Sequence, residues 1–370
     1  MQRVRQFLHQ NAILCIAAAA AAATSLIIRP DGEYWHYFDW KTLTCLFCVL
    51  AVVMALRDIR FFSYLAQAIV VRFRNLGSCT LALVYITFIG SMLIANDMAL
   101  LTFLPLGFYV LKSTGQERHM AFVFVIQNIA ANLGGMLTPF GNPQNLYLYS
   151  YYNIPTLEFM GIMLPPFLLS VAMITACCLL FLPRTQLYLC RPEEIALSPR
   201  RTSLYLVLFL LAIVIVFRAI PYWIGLIIIP LVLFFADREA LAQVDYCLLL
   251  TFVAFFVFAG NLGRVPAVSA FLAPLLQKQP LIVSVLSCQF ISNVPSAILL
   301  SQFTTNYPAL LVGVNIGGTG TLVASLASLI TYREYVRNNP GEQGRYLKVF
   351  AALNLSFLAV LTIFEWFLLK

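Results

Sequence analysis

The chain has 370 residues, of which 61% are hydrophobic and 10% charged, with a mean hydropathy of +0.88. Apolar runs long enough to cross a hydrocarbon layer about 30 Å thick recur from end to end, which excludes an ordinary soluble domain and defines an all-α polytopic membrane protein. The net charge of +8 resides mostly in links between apolar runs, where Arg and Lys act as topology signals rather than a polyanion-binding surface. Nucleic acid is therefore not an expected partner; the lipid bilayer is.

In chain order, QRVR followed by AILCIAAAAAAATS has the charged start, apolar middle and small-residue end of a cleavable signal. The apolar run continues through Ile28, so residues 12–28 are expected to remain as a first spanning helix. Further crossings are expected at 40–57, at 119–138 with a broken continuation to 150, and at 158–182, 201–218, 222–236, 246–260, 309–330 and 347–368. Residues 79–111 and 281–307 complete the count as re-entrant hairpins, although two full crossings at either place would preserve parity.

With a cytoplasmic N-terminus, the outer face receives only Arg29, Lys41, Arg218, Arg264, Lys278 and Lys370. The other 17 of the 23 Arg and Lys residues, Arg3, Arg5, Arg74, Arg184 and Arg191 among them, face the cytoplasm, as the positive-inside rule requires. The expected organisation is a first repeat with the N-terminal helix over 1–182, a cytoplasmic linker over 183–200, and a second repeat with an extra helix over 201–370.

Both hairpins carry polar residues where a lipid-embedded chain should avoid them. SMLIANDMALLTFLPL is interrupted by Ala95, Asn96 and Asp97, and SCQFISNVPSAILLSQF by Ser292, Asn293 and Pro295. Between crossings, TPFGNPQNLYLYSYYN concentrates helix breakers and amides at Thr138 to Asn153. Freed backbone groups at that depth are tolerated only where protein or an aqueous cavity satisfies them.

The halves also echo each other. DWKTLTCLFCVLAVV from Asp39 is matched by VDYCLLLTFVAFFVFAG from Val244, each followed by an amphipathic segment, then a tip asparagine, then ANLGG (Ala131 to Gly135) or VNIGG (Val314 to Gly318). Four crossings separate the two copies, so they enter from opposite sides, and an inverted repeat supplies the two mirror-related conformations of alternating access.

Several residues carry two readings. Gly134, Gly135, Gly317 and Gly318 either permit close helix packing or open helices so that backbone N–H and C=O groups become ligands. Asn96 and Asn293 cap the hairpin turns, bind solute, or do both. Gln127, Asn128, Asn132, Asn315, Gln144, Asn145, Gln289 and Gln302 are candidates for interhelical hydrogen bonding, and Tyr147, Tyr149, Tyr151 and Tyr152 for an aromatic belt at the outer interface. Asp97 is the acidic residue of the first hairpin, so it is a candidate for Na⁺ or H⁺ coupling, with turn capping as the alternative. The nine cysteines lie mostly in apolar runs and read as small hydrophobes, and His9, His36 and His119 sit near membrane edges without a metal cluster. No catalytic constellation is present, and an enzyme is not expected.

IANDMALLTFLPL, GGMLTPFGNPQNL, QFISNVPSAILL and GVNIGGTGTLVASLASLI resemble the ion transporter superfamily that contains divalent anion/sodium symporters, citrate transporters and arsenite pump membrane subunits. The likeness covers residues 40–365 and is closest to the small bacterial inner-membrane permeases. It implies a scaffold part and a transport part made from two hairpins and two broken helices, usually dimeric, with an elevator-like shift. Carboxylate members carry Ser-Asn-Thr at both tips; here Ala95-Asn96-Asp97 and Ser292-Asn293-Val294 keep the amides and replace hydroxyls.

The expected function is secondary active transport of a small anion, a di- or tricarboxylate or an inorganic oxyanion, coupled to a Na⁺ or H⁺ gradient in the cell inner membrane. Substrate binding is expected at Asn96, Asn145, Asn293, Ser292, Thr138, Gly141, Asn142, Gly317, Gly318 and Thr319. Cation coupling is expected at Asp97, Asn96, Gly134, Gly135, Asn132, Asn293 and Asn315. No cofactor is expected beyond the coupling Na⁺ or H⁺. Sodium/proton antiport and arsenite efflux are the transport alternatives, only the latter bringing a separate ATPase subunit, since no Walker-type site is visible. A structural membrane protein is the non-transport alternative.

Overall fold

The computed structural model describes residues 11–70, 72–73, 75–183, 185–186 and 195–370. Arg3, Arg5, His9, Arg74, Arg184, Arg191 and much of the 183–200 linker lie outside the described residues. Helices account for most of what is described, and the single extended pairing is an isolated bridge between Asn75 and Gln186.

The first half runs α1 (Ala12–Ile27), a short turn α2 (Tyr34–Tyr37), α3 (Trp40–Asp58), α4 (Phe61–Val70), α5 (Leu76–Ile94), α6 (Asn96–Ser113), α7 (Met120–Gly134), α8 (Pro143–Tyr151) and α9 (Thr156–Phe181). After the linker come α10 (Pro199–Val216), α11 (Tyr222–Ala236), α12 (Arg238–Ala242), α13 (Tyr246–Gly263), α14 (Pro266–Lys278), α15 (Pro280–Ile291), α16 (Asn293–Leu300), α17 (Tyr307–Ile316), α18 (Leu326–Asn338) and α19 (Gln343–Leu368). The order from α3 to α9 recurs from α13 to α19: a capped helix, a short helix, a two-helix hairpin, a helix that breaks into two halves, and a 26-residue helix.

Local chemistry explains the starts. The acidic residue that opens each echoing segment is an N-cap: Asp39 Oδ1 accepts the Thr42 N–H at 3.0 Å and Asp245 Oδ1 the Leu248 N–H at 2.8 Å. Asn75 caps α5 through Ser78 N–H at 2.8 Å, and Asn306 caps α17 through Ala309 N–H at 3.3 Å. α10, α14 and α15 each place proline in the first turn, where no intrahelical donor is lost.

Seven helices among the described residues are long and apolar enough to cross a membrane, and α1, α11, α15 and α17 are shorter apolar helices. The two hairpins differ in length. α5 has 19 residues, about 28 Å at helical rise, and is long enough to cross the hydrocarbon; α15 and α16 have 12 and 8 residues, about 18 and 12 Å, and are each too short to do so. The run expected as one crossing at 309–330 is two helices, because α17 stops at Ile316 and the chain does not resume helical form until Leu326.

The centre of the molecule is made by the half-helices. Apart from Phe122, every residue of α7 is buried, as is every residue of α17 from Ala309 onward. α7 packs on α5, α6, α18 and α19, while α17 packs on α15, α16, α8 and α19. Around this centre α9, α10, α11 and α19 each bury one stripe and expose broad apolar faces, the pattern of lipid-facing helices. α3 is flanked by α10 and α11, and α13 by α1.

Candidate functional site

Each hairpin turns on one residue in a backbone conformation that side-chain-bearing residues seldom adopt. Ala95 has φ 65° and ψ 153°, and Ser292 has φ 73° and ψ 162°. This region is nearly glycine-only and costs on the order of 1–3 kcal/mol, so its presence at both tips marks two built turns. The next residue, Asn96 or Asn293, opens the following helix and its Oδ1 accepts the N–H of the residue after it, at 3.0 Å to Asp97 and 2.9 Å to Val294. The tips are near-copies in backbone and in capping chemistry.

The breaks are pinned to the hairpins by a repeated hydrogen bond. Thr138 Oγ1 donates to the carbonyl of Met92 at 2.8 Å, and Thr321 Oγ1 donates to the carbonyl of Gln289 at 3.0 Å. Each threonine lies three residues after its glycine pair and each carbonyl four residues before its tip asparagine. Gln289 adds a clamp of its own, donating to the carbonyls of Gly317 (2.9 Å) and Thr319 (3.1 Å) and accepting from Thr321 N–H (2.8 Å). The second tip is tied to its break again, since Asn293 N–H and Ser292 Oγ both donate to the Ala324 carbonyl, at 3.0 and 3.3 Å.

Between the tips lies a buried network of neutral amides and hydroxyls. Asn96 Nδ2 donates to Asn132 Oδ1 at 3.1 Å, and Asn132 Nδ2 donates to Ser325 Oγ at 3.1 Å. On the repeat-related side Asn142 Nδ2 donates to Asn315 Oδ1 at 3.3 Å, and Asn315 Nδ2 donates to Asn145 Oδ1 at 2.6 Å. Asn132 and Asn315 hold the same place before the glycine pairs, and Asn142 and Ser325 the same place after them, so the pairs Asn132–Ser325 and Asn315–Asn142 join equivalent positions, with Asn132 donating in the first and Asn315 accepting in the second. Gly318 lies between the second tip and the partner of the first: a methyl group there would come within 3.1 Å of Asn293 Nδ2 and 3.8 Å of Asn132 Oδ1, the atom that accepts from Asn96. Asp97 stands beside this centre, half-buried, with Oδ1 buried and without a hydrogen-bond partner among the described residues.

The structure thus brings together Asn96, Asn132, Asn142, Asn145, Asn293, Asn315, Ser292 and Gly318. Other expected site residues have their polar groups occupied locally. The Thr319 hydroxyl turns back to the Ile316 carbonyl at 2.6 Å and the Thr138 hydroxyl holds Met92; Asn145 gives its Oδ1 to the centre but turns its Nδ2 to the carbonyls of Gly135, Met136 and Thr138 at 3.2–3.3 Å. The glycines divide as well. A Cβ on Gly134 would overlap the Phe88 carbonyl and lie 2.6 Å from Ser91 Oγ; on Gly317 it would lie 2.8 Å from Cys288 Sγ. These two permit a hairpin arm to pack against the break. Gly135 and Gly141 admit each other's backbone in the tight 135–142 turn, where a Cβ on Gly135 would also lie 2.5 Å from Asn142 Oδ1, and Gly318 faces Asn293 and Asn132.

Ser325 and Ser328 belong to the centre and were not singled out in the sequence; Ser328 Oγ accepts from Asn128 Nδ2 at 3.2 Å. Counting seven and ten residues on from the second glycine of each pair, which lands on Asn142 and Asn145 in the first repeat, finds both. The aromatic belt needs correction: Tyr147 and Tyr149 are 2% and 1% exposed. Tyr147 hydrogen-bonds Ser301 Oγ at 2.8 Å and Tyr149 bonds Thr156 Oγ1 at 2.7 Å, so both lock α8 into the protein, and only Tyr151 of the four is exposed. Gln127 does join helices, from α7 to Thr87 of α5 at 3.0 Å. Among the described residues no group of histidine, cysteine and carboxylate side chains is arranged to hold a metal ion.

Fold and site together define a polytopic all-α membrane protein built around a neutral, amide-lined centre reached by two hairpin tips and two helix breaks. The chain belongs to the citrate transporter family, whose model matches residues 7–316, and it is a membrane transporter. It is 33% identical over 336 residues to an uncharacterized transporter of Methanocaldococcus jannaschii, covering 90% of this chain and 91% of that one. It is 28% identical over 301 residues, 80% of either chain, to the inner membrane protein YbiR of Escherichia coli.

Proposed function

We propose that the protein is a secondary active transporter that moves a small anion, a carboxylate or an inorganic oxyanion, coupled to a Na⁺ or H⁺ gradient. The observation that carries this reading is the pair of tips: α6 and α16 both begin at an asparagine, Asn293 lies against Gly318, and Asn96 reaches the same centre through its hydrogen bond to Asn132. Helix N-termini carry the positive end of the backbone dipole, which favours an anion even where no Lys or Arg takes part. Asn96, Asn293, Ser292 and Gly318 are the proposed substrate contacts, with Asn132, Asn315 and Asp97 on the cation side. Asn142 and Asn145 hold the first break in shape. The family's description as citrate transporters supports a carboxylate as the first solute to test.

The duplicated element order supports an inverted repeat, and the repeat supports alternating access. The protein is placed in the cell inner membrane with its N-terminus in the cytoplasm, and a homodimer is proposed on the family resemblance. Sodium/proton exchange is the second reading, favoured by the buried, unpartnered oxygen of Asp97 beside a centre without a cationic side chain.

The test is flux in sealed proteoliposomes, crossing Na⁺ and H⁺ gradients with citrate, succinate, sulfate, phosphate and arsenite. Gradient-driven uptake of any of the anions supports the proposal. Na⁺/H⁺ exchange without anion flux replaces it with the second reading, and movement of arsenite alone replaces it with efflux of a neutral oxyacid.

A further inference from the structure

Outside the amide centre one carboxylate is completely enclosed. Glu365, on the last turns of α19, is 0% exposed, and both of its oxygens are buried without a hydrogen-bond partner among the described residues. One turn earlier on the same helix the Thr362 hydroxyl is also buried and without a partner. The position itself does not call for an acid. The buried stripe of α9, Phe159, Met163, Pro166, Ser170, Ile174 and Cys178, is matched in spacing by Tyr346, Phe350, Asn354, Phe357, Leu361 and Glu365 of α19, with a one-residue offset only at Pro166 and Asn354. Glu365 therefore occupies the place at which the other repeat buries the small thiol of Cys178.

We infer that Glu365 is a proton-binding site, separate from the amide centre, that releases its proton at the α19 C-terminal face of the membrane when the helices around it move. An ionised carboxylate enclosed without donors or counter-charge would cost several kcal/mol, far more than the neutral acid. Among the described residues of the helices packed against it, no counter-charge faces it. α7 carries no titratable side chain; α15 has Cys288; and α17 has Tyr307, whose hydroxyl is given to Glu158 of α9. Besides Glu158, α9 offers only Cys177 and Cys178, and the charged residues of α18 (Arg333, Glu334, Arg337), with Tyr332 and Tyr335, lie toward the opposite end, where Tyr335 stacks on Tyr346 at 4.8 Å. On α19 itself Arg345, Tyr346 and Lys348 are at the far end, and Lys370 sits over the Trp366 ring at 4.9 Å.

Glu365 is three residues from the end of α19 at Leu368, about 4.5 Å along the axis, so the route to solution is short once opened. α19 packs on α15 of the second hairpin and on α17, and its Leu358 lies where a Cβ on Gly320 of the second break would come within 3.0 Å. Movement of that hairpin or break against α19 would admit water. The Glu365 O–H bond then breaks, its electron pair stays on the carboxylate oxygen and the proton passes to water.

The proton site stands on burial and packing; only its link to flux rests on the transport proposal. Infrared difference spectra of reconstituted wild-type protein between neutral and alkaline pH are expected to show the carbonyl band of a protonated buried carboxyl. The band should vanish in Glu365→Gln, remain in Asp97→Asn, and shift in wild-type protein grown on ¹³C-glutamate, a readout that needs no variant to fold. A band that does not shift with ¹³C-glutamate, or that persists in E365Q, overturns the inference. A flux panel without anion movement would remove the transport proposal and leave this result standing.

Discussion

Gly134 and Gly318 belong to matching motifs, yet a methyl group at each should do different damage. In Gly134→Ala the new carbon overlaps the Phe88 carbonyl, with Phe88 C at 2.8 Å and Ser91 Oγ at 2.6 Å; that hydroxyl is itself bound to the Phe88 carbonyl. Backbone of a packed hairpin arm cannot yield cheaply, so the cost is expected near the top of the overpacking range, about 3 kcal/mol. In Gly318→Ala the nearest atoms are Asn293 Nδ2 at 3.1 Å, the end of a side chain, and the Asn315 carbonyl at 3.2 Å. A shift of a few tenths of an ångström relieves both, so stability should fall by less than about 1.5 kcal/mol. The methyl group would, however, occupy the space between Asn293 of the second tip and Asn132, which holds the first. Thermal unfolding in detergent should therefore separate G134A from wild type and leave G318A near it, while proteoliposome flux should be lost in G318A. Wild-type flux in a well-folded G318A would mean that solute does not pass between Asn293 and Asn132. A G134A protein as stable as wild type would refute the packing role of Gly134.

Asp97→Asn should insert and fold normally while gradient-driven uptake falls about tenfold or more; if rate, gradient dependence and pH profile are all retained, the carboxylate serves only the turn. Single cysteines at Asn96 and Asn293, in a cysteine-free background, should react with small aqueous probes from opposite faces of the membrane, and labelling of both from one face would contradict the inverted repeat. On the surface, Arg264 grips Asp31 through Nη1–Oδ1 at 3.0 Å and Nη2–Oδ2 at 2.6 Å and holds that carboxyl below the usual carboxylate range. A lowered folded-state pKa means the contribution is fully present above the unfolded value and lost as pH falls through the folded one. The stability difference between wild type and Asp31→Asn should thus be flat from about pH 5 to 8 and shrink only in stronger acid; a difference that changes within the flat window would rule the pair out as its source.

Hydropathy and helix breakers act locally, and what depends on them was legible in the chain alone: the membrane setting, most of the apolar helices, the two polar tips and the breaks after ANLGG and VNIGG. A backbone that leaves helical form inside lipid must find partners, so its position is written in the residues that cause it. The echo between Asp39 and Asp245 was legible for the same reason, and both proved to be N-caps. Which polar groups face the centre was decided elsewhere. Asn132 meets Ser325 across 193 residues and Asn315 meets Asn145 across 170, pairings set by how four half-helices pack. Packing also turned the hydroxyls of Thr138 and Thr319 onto nearby carbonyls, drew Tyr147 and Tyr149 inward, and gave Gly134 and Gly318 different neighbours. In the linear chain Glu365 reads as one acid near the end of an apolar helix. Its enclosure exists only in the folded molecule, because burial belongs to the surfaces that close around a residue and not to the residue itself.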